Sequence, residues 1–282
     1  MLREISLFRQ ISKDHGFDVA VLRTKSKMLS IFKKLGINNY ESKPQSWILL
    51  KSGDGSKTFS NYPNWNYVIP LPPRSLMFSI GAPNVESFFV VADAWAQVIN
   101  RFLPSNSTVL DIGCGCGRIA RILTHNSKIK EYIGFDVMQE NIDWCKNFIT
   151  PNTQGRFKFL CFDLFSKEYN PSGKIKSSEF RFPAADNSID LCFAASLFTH
   201  ILEPDTCRYL SEIKRVLNVA SGIAVISIHI WPLPGMRYSG IEGKVDIAPD
   251  YFQELVEKYG LKIHERVGDV CGQEVFVLKS AN

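Results

Sequence analysis

Three aspartates each close an apolar run: Asp111 in "TVLDI", Asp136 in "YIGFD" and Asp163 in "FKFLCFD". A carboxylate there can accept hydrogen bonds from an ammonium, from paired hydroxyls or from an exocyclic amine. Directly after Asp111 come Gly113, Gly115 and Gly117 at alternate positions, and then a helical pattern begins. Glycines so placed let the backbone turn tightly and approach a ligand at a helix N-terminus. Two histidines add proton chemistry: His200 in "SLFTH" and His229 in "ISIHIW". A neutral imidazole is the side chain best suited to take a proton near neutral pH. His15, His125 and His264 fall outside the positions where such chemistry is expected.

The glycine loop alone leaves its ligand open. Residues 115–120 satisfy G-x-G-x-x-A, and Asp136 follows at the distance of a ribose-binding acid, so a dinucleotide fits the pattern as well. A strand-to-helix turn without any ligand fits too. Asp111 separates the options, because a carboxylate beside the loop repels a pyrophosphate but suits an ammonium. With Asp136 for ribose and Asp163 for an adenine amine, the set describes S-adenosylmethionine. Cys114 and Cys116 form a C-x-C with no second pair at ligand spacing, so no metal is expected.

The elements that must hold these residues alternate. A helix is predicted over 85–102, a strand over 108–113, a helix over 117–126, a strand over 131–136 and a helix over 138–149. Strands over 157–162 and 188–195, a helix over 204–217, a strand over 222–230 and a helix over 249–259 continue the series. Strands over 261–267 and 273–279 follow with no helix between them, which reads as a hairpin. This is an α/β protein with a mostly parallel sheet, helices on both faces and one antiparallel edge. Residues 231–248 read as a Pro/Gly-rich lid, a poor helix or strand. His229 is placed inside the fifth strand and His200 in the turn after the fourth.

Several segments in order resemble the class I S-adenosylmethionine-dependent methyltransferases over about residues 100–280: "VLDIGCGCGRIA", "YIGFDVMQENIDWCK", "FKFLCFD", "FRFPAADNSIDLCFAASLFTHI" and "YLSEIKRVLNVASGIAVIS". The resemblance implies a seven-stranded sheet in the order 3-2-1-4-5-7-6 with the last strand antiparallel. It implies that Asp111 serves the methionine end of the cofactor, with Gly113, Cys114 and Gly115 beneath it. Asp136 would accept both ribose hydroxyls, and Val137 and Met138 would flank the adenine. Asp163 would bind the adenine amine beside the Leu164 backbone, and Ala195 would close the site near the sulfonium. "AASLF" stands where methyltransferases acting on base or amide nitrogens carry an "NPPY"-type run, which favours a hydroxyl on a small or medium metabolite, such as a sugar or secondary metabolite.

Composition sets the outer bounds. Of 282 residues, 45% are hydrophobic and 22% charged, which suits one α/β domain with an extension, or two small domains. No apolar run reaches the length of a membrane span, and the first thirty or so residues lack a secretory pattern, so a cytoplasmic protein is expected. Seven scattered cysteines agree with reduced, mostly buried thiols. Residues 1–85 hold 12 Lys/Arg against 5 Asp/Glu and read as a helical and aromatic cap before a methyltransferase domain over 86–282. Helices are expected in 2–35 and an ordered irregular stretch in 36–83. Tyr62, Trp65, Tyr67 and Arg74, the segment 231–248, and Gln273 with Glu274 are the expected acceptor contacts. The basic extension keeps a nucleic-acid-directed methyltransferase open as an alternative. A nicotinamide-dependent enzyme and a protein that holds the cofactor without chemistry remain open too. Oligomeric state is not legible.

Overall fold

The computed structural model describes residues 69–230 and 236–281. The expected N-terminal helices, the aromatic stretch with Tyr62, Trp65 and Tyr67, and residues 231–235 lie outside the described residues. The chain divides into two compact units, one including Pro70–Val90 and the other including Ile69 and Val91 onward.

In the first unit a short helix, α1 (Arg74–Ser79), precedes the start of α2 (Val85–Phe102). The Ser87 N–H donates to Asn84 Oδ1 at 2.8 Å, so Asn84 caps α2 through its side chain. Arg74 is exposed.

The second unit is built on a seven-stranded sheet. Its strands are β1 (Ser107–Ile112), β2 (Ile129–Asp136), β3 (Phe157–Cys161), β4 (Leu191–Ala194) and β5 (Ile223–Ile228), with β8 (Leu261–Val270) and β9 (Gln273–Ser280) at one edge. The order is β3-β2-β1-β4-β5-β9-β8, with β9 antiparallel to both β5 and β8. The expected topology is therefore present, including the antiparallel edge. Helices α3 (Arg118–Leu123), α4 (Gln139–Phe148), α5 (Glu203–Val216) and α6 (Pro249–Lys258) connect the strands.

β1 is central, and five of its six residues are buried, which is why it reads as an unbroken apolar run. The pleat sends Leu110 and Ile112 into a core with Leu210 and Ile213 of α5 and Phe252 and Leu255 of α6. Asp111 lies between them in sequence and so faces the opposite side, where Tyr132 stacks on Phe157 at 4.4 Å between ring centroids. α5 carries Glu203 and Asp205 in its first turn and Lys214 and Arg215 in its last, both favourable to the helix dipole. The β8–β9 turn places Cys271 and Gly272 at φ 55° and 83°, the doubly left-handed pair of a tight two-residue hairpin.

Some expected boundaries differ for local reasons. β4 pairs only over Leu191–Ala194, because Ile189 instead bridges Leu217 and Ser196 turns into the left-handed region at φ 66°. α3 stops at Leu123, where Thr124 Oγ1 donates to the Arg121 carbonyl at 2.7 Å. β5 ends at Ile228, so His229 lies beyond the strand and not in its interior. The expectation of a poor helix or strand over 231–248 is corrected for residues 238–247. β6 (Tyr238–Ile241) and β7 (Lys244–Ile247) pair as an antiparallel hairpin. Fully buried Val245 and Ile247 alternate along β7, and the neighbouring prolines and glycines obscured that short period-two signal. Among the described residues, no helix is long and apolar enough to cross a membrane.

Candidate functional site

The carboxyl ends of β1, β2 and β4 meet around the glycine loop. Gly113, Gly115 and Gly117 all take positive φ, at 77°, 53° and 74°. This backbone lets the Gly113 and Cys114 N–H groups both donate to the Phe135 carbonyl, at 2.9 and 3.0 Å. A Cβ on Gly117 would lie 2.3 Å from Ile149 Cδ1 and 2.9 Å from Cys145 Sγ. Replacing Gly117 with Ala combines that overlap with a left-handed backbone and is expected to lower stability by roughly 1–3 kcal/mol. An unshifted denaturant midpoint would show that the loop tolerates a side chain there.

Asp136 closes β2 and binds the loop directly. Its Oδ2 accepts the Gly115 N–H at 2.8 Å and its Oδ1 accepts the Met138 N–H at 2.9 Å. Burial raises its pKa, and the Met138 and Gly115 amides oppose the rise. The Val137 amide acts on it as well, and a carboxylate with about four lone-pair sites can still accept a hydroxyl beyond these amides. Val137 and Met138 follow, half-buried beside it.

Asp111 sits deeper, at 2% exposure, and its Oδ2 accepts the Tyr132 hydroxyl. Burial drives its pKa up to about 8, against the lowering pull of the Tyr132 hydrogen bond. A raised acid holds its proton more tightly folded than unfolded. Its contribution to stability is therefore fully present below the ordinary value of 3.8 and is lost as pH rises through about 8. Burial also raises Asp136, with the same sign. Asp111→Asn keeps a carbonyl for Tyr132 and is expected to flatten the fall in melting temperature between about pH 4 and about pH 8. Parallel wild-type and variant curves across that window would contradict it.

Cys114 and Cys145 are buried under the loop, and each thiol donates to the Gly115 carbonyl, at 3.7 and 3.6 Å. Burial pushes both thiols well above their ordinary range, so they pack as neutral groups. Asp163 is exposed just past β3, where its Oδ1 accepts the Asn170 amide at 3.2 Å. The same amide donates to the Leu164 carbonyl at 3.0 Å.

Past β4, Ala195 is half-buried and Ser196 begins a ring of hydrogen bonds that sequence reasoning missed. The Ser196 N–H donates to Ser227 Oγ at 2.9 Å, Ser227 Oγ donates to Gln273 Oε1 at 2.7 Å, and the Gln273 amide donates to Ser196 Oγ. This ring ties β4, β5 and β9 at one edge. It engages Gln273, while Glu274 pairs with Arg266. Leu197, next in line, lies against the loop, since a Cβ on Gly113 would come 3.3 Å from Leu197 Cδ1.

The histidines are both fastened to the β6–β7 hairpin by backbone. Gly243 N–H donates to the His200 carbonyl and Ile247 N–H to the His229 carbonyl, each at 3.0 Å. The His200 ring also joins a side-chain cluster. Its Nδ1 lies 3.0 Å from the Tyr169 hydroxyl and 3.8 Å from Glu168 Oε2. Its side chain remains 23% exposed, so the ring is still reachable. Tyr169 and Glu168 come from the segment between β3 and β4, where no motif marked them.

The sheet order and glycine loop are those of the Rossmann-like class I methyltransferase fold. Residues 110–225 match the methyltransferase domain family. An uncharacterized methyltransferase of Mycobacterium sp. (strain KMS) is 29% identical over 153 residues, 54% of this chain and 50% of that protein. The chain thus spans about half the length of the curated relatives it matches. Among solved structures, the 1,6-didemethyltoxoflavin-N1-methyltransferase of Burkholderia thailandensis, bound to its 1,6-didemethyltoxoflavin and S-adenosylhomocysteine, aligns with a TM-score of 0.52 at 12% identity. That alignment covers 91% of this chain and 90% of the other. The [4+2]-cyclase SpnF aligns with the same TM-score at 17% identity, over 67% of this chain and 81% of the cyclase. At such identities the likeness is one of fold, and the cyclase shows that this fold does not by itself fix the reaction.

The family match over residues 110–225 and the sheet order thus agree on a methyltransferase-type fold for this part of the chain.

Proposed function

We propose that this protein transfers a methyl group from S-adenosylmethionine to a hydroxyl on a small or medium metabolite, such as a sugar or secondary metabolite. The observation that carries the cofactor half is the Asp136 carboxylate, fastened to the glycine loop with lone pairs to spare. The observation that carries the acceptor half is His200, a half-buried imidazole at the carboxyl edge of the sheet with a carboxylate and a phenol on one ring nitrogen.

The residues present fit the cofactor. Gly113 is half-buried at the loop, and its missing side chain lets Leu197 pack closely against the backbone there. Asp136 would accept the ribose hydroxyls, and Gly113, Cys114 and Gly115 would line the methionine end through their backbone. Asp111 would face the ammonium, which favours its ionised form and offsets the burial that raises it. Val137 and Met138 would flank the adenine, with Asp163 and the Leu164 backbone at its amine. Ala195 would border the sulfonium. When bound, S-adenosylmethionine supplies an electrophilic methyl group on a positively charged sulfur.

The chain's own contribution is alignment and proton removal. Methyl transfer is an in-line displacement, so holding the acceptor oxygen on the axis supplies much of the rate. His200 takes the hydroxyl proton as the new bond forms. His229, whose carbonyl holds β7, is a second candidate base on its side-chain chemistry. Incubating the protein with hydroxylated metabolites and S-adenosylmethionine carrying a deuterated methyl tests the reading. A product bearing one deuterated methyl on oxygen is expected. Methylation confined to nitrogen, or to RNA or DNA, would replace the acceptor assignment.

A further inference from the structure

We propose that Glu168 and Tyr169 are positioning residues that hold His200 with its proton on Nδ1 and leave Nε2 as the proton-accepting nitrogen. The catalytic use of that nitrogen rests on the function proposed above; the tautomer itself does not.

Two arrangements of the bond between Tyr169 and His200 are chemically possible at 3.0 Å. If the phenol donates to Nδ1, the neutral ring must carry its proton on Nε2, and Nε2 is then a donor and no base. If the phenol accepts from Nδ1–H, Nε2 keeps its lone pair. The phenol has one proton, and Glu168 decides where it goes. Glu168 also acts on the Tyr169 hydroxyl, helping to hold the phenol in its protonated form. An ionised carboxylate only accepts, so a negative charge there draws the phenol's proton toward itself and away from the ring. The phenol oxygen is then left to receive Nδ1–H from His200. Glu168 Oε2, at 3.8 Å from Nδ1, attracts the same proton-bearing side of the ring. Burial, and after it the Glu168 charge, drive the Tyr169 pKa well above its ordinary range, so the phenol stays protonated and able to donate.

The surroundings fix this arrangement from three parts of the chain. Ser166 Oγ and the Glu168 N–H both donate to Glu242 Oε1, at 2.5 and 3.1 Å. The Tyr169 N–H donates to Ser166 Oγ at 3.1 Å. Gly243, beside Glu242 in the hairpin turn, donates its N–H to the His200 carbonyl. A Cβ on Gly243 would lie 1.7 Å from Glu168 Oε2, so only glycine lets that carboxylate sit where it does. The charged and titratable groups around the pair are therefore Glu168, Glu242 and, acting on Tyr169 from β2, Asp136. A base oriented through its other nitrogen by an acceptor, itself anchored on a carboxylate, is a general solution to holding an imidazole in one state.

The test is long-range proton–nitrogen NMR on the full chain with labelled histidine, at a pH where the rings are neutral, with His200 assigned by its loss in His200→Gln. The wild type is expected to show a protonated-type Nδ1 and an unprotonated-type Nε2. In Tyr169→Phe the two nitrogens should exchange ranges, because Nδ1 loses its acceptor and the ring returns to the Nε2–H form favoured by free imidazole. Glu168→Ala gives the same exchange by a separate route, since the freed phenol proton turns to Nδ1, and it serves if Tyr169→Phe does not fold. A wild-type His200 protonated on Nε2, or an Nδ1–H state that survives in a folded Tyr169→Phe or Glu168→Ala, would overturn the assignment. Failure of the base reading looks different: His200→Ala would then keep its turnover while the wild-type shifts stayed as expected.

Discussion

Asp136→Ala is expected to bind S-adenosylmethionine at least tenfold more weakly than the wild type. In the proposed site the carboxylate would offer charge-assisted hydrogen bonds to two ribose hydroxyls, and losing such bonds costs roughly 1.5–3 kcal/mol. It also fastens the loop, because Gly115 and Met138 both donate to it. Removing it leaves those amides without their acceptor and lets the loop relax, which adds to the loss. Calorimetric titration of a variant shown to be folded by circular dichroism measures the effect. Unchanged affinity would remove Asp136 from the cofactor seat.

His200→Ala is expected to lower turnover on the acceptor by roughly 10²–10⁴-fold and to leave cofactor affinity nearly unchanged. The separation follows from position. His200 lies past β4 with Tyr169 and Glu168, whereas Asp136 closes β2 against the glycine loop. Steady-state kinetics beside a cofactor titration resolves the two quantities. The matching substitution at His229 is expected to have the smaller effect, because Tyr169 and Glu168 orient the His200 ring at the carboxyl edge of the sheet. A larger loss at His229 would reverse the assignment, and near-normal turnover in both variants would leave alignment as the whole of catalysis.

The parts of the fold carried by local pattern were legible. β1 reads as an apolar run because it is buried on both faces, and the glycines read as a loop because three positive-φ positions need them. The antiparallel edge was legible from two strands with no helix between them. What was not legible depends on contacts between distant residues. Ser196, Ser227 and Gln273 are ordinary polar residues in sequence and form a ring only because β4, β5 and β9 are neighbours. Glu168, Tyr169, Glu242 and Gly243 come from two connections, each without a motif of its own, and gather around His200 once the β6–β7 hairpin forms. That hairpin was hidden because its strands are four residues each, and prolines and glycines outweigh so short an alternation. The role of Asp136 in tying the loop was likewise invisible, since the spacing between Gly115 and Asp136 suits a ribose site whether or not the two touch each other.

The central claim is that the glycine loop, Asp111 and Asp136 are built for an adenosylated amino acid and not for a dinucleotide. Titrating S-adenosylhomocysteine and NAD side by side into the wild-type protein tests it most directly. Saturable one-to-one binding of S-adenosylhomocysteine, with no heat from NAD at the same concentrations, is the predicted result. NAD binding as tightly, or a folded protein that takes up no S-adenosylhomocysteine, would contradict it.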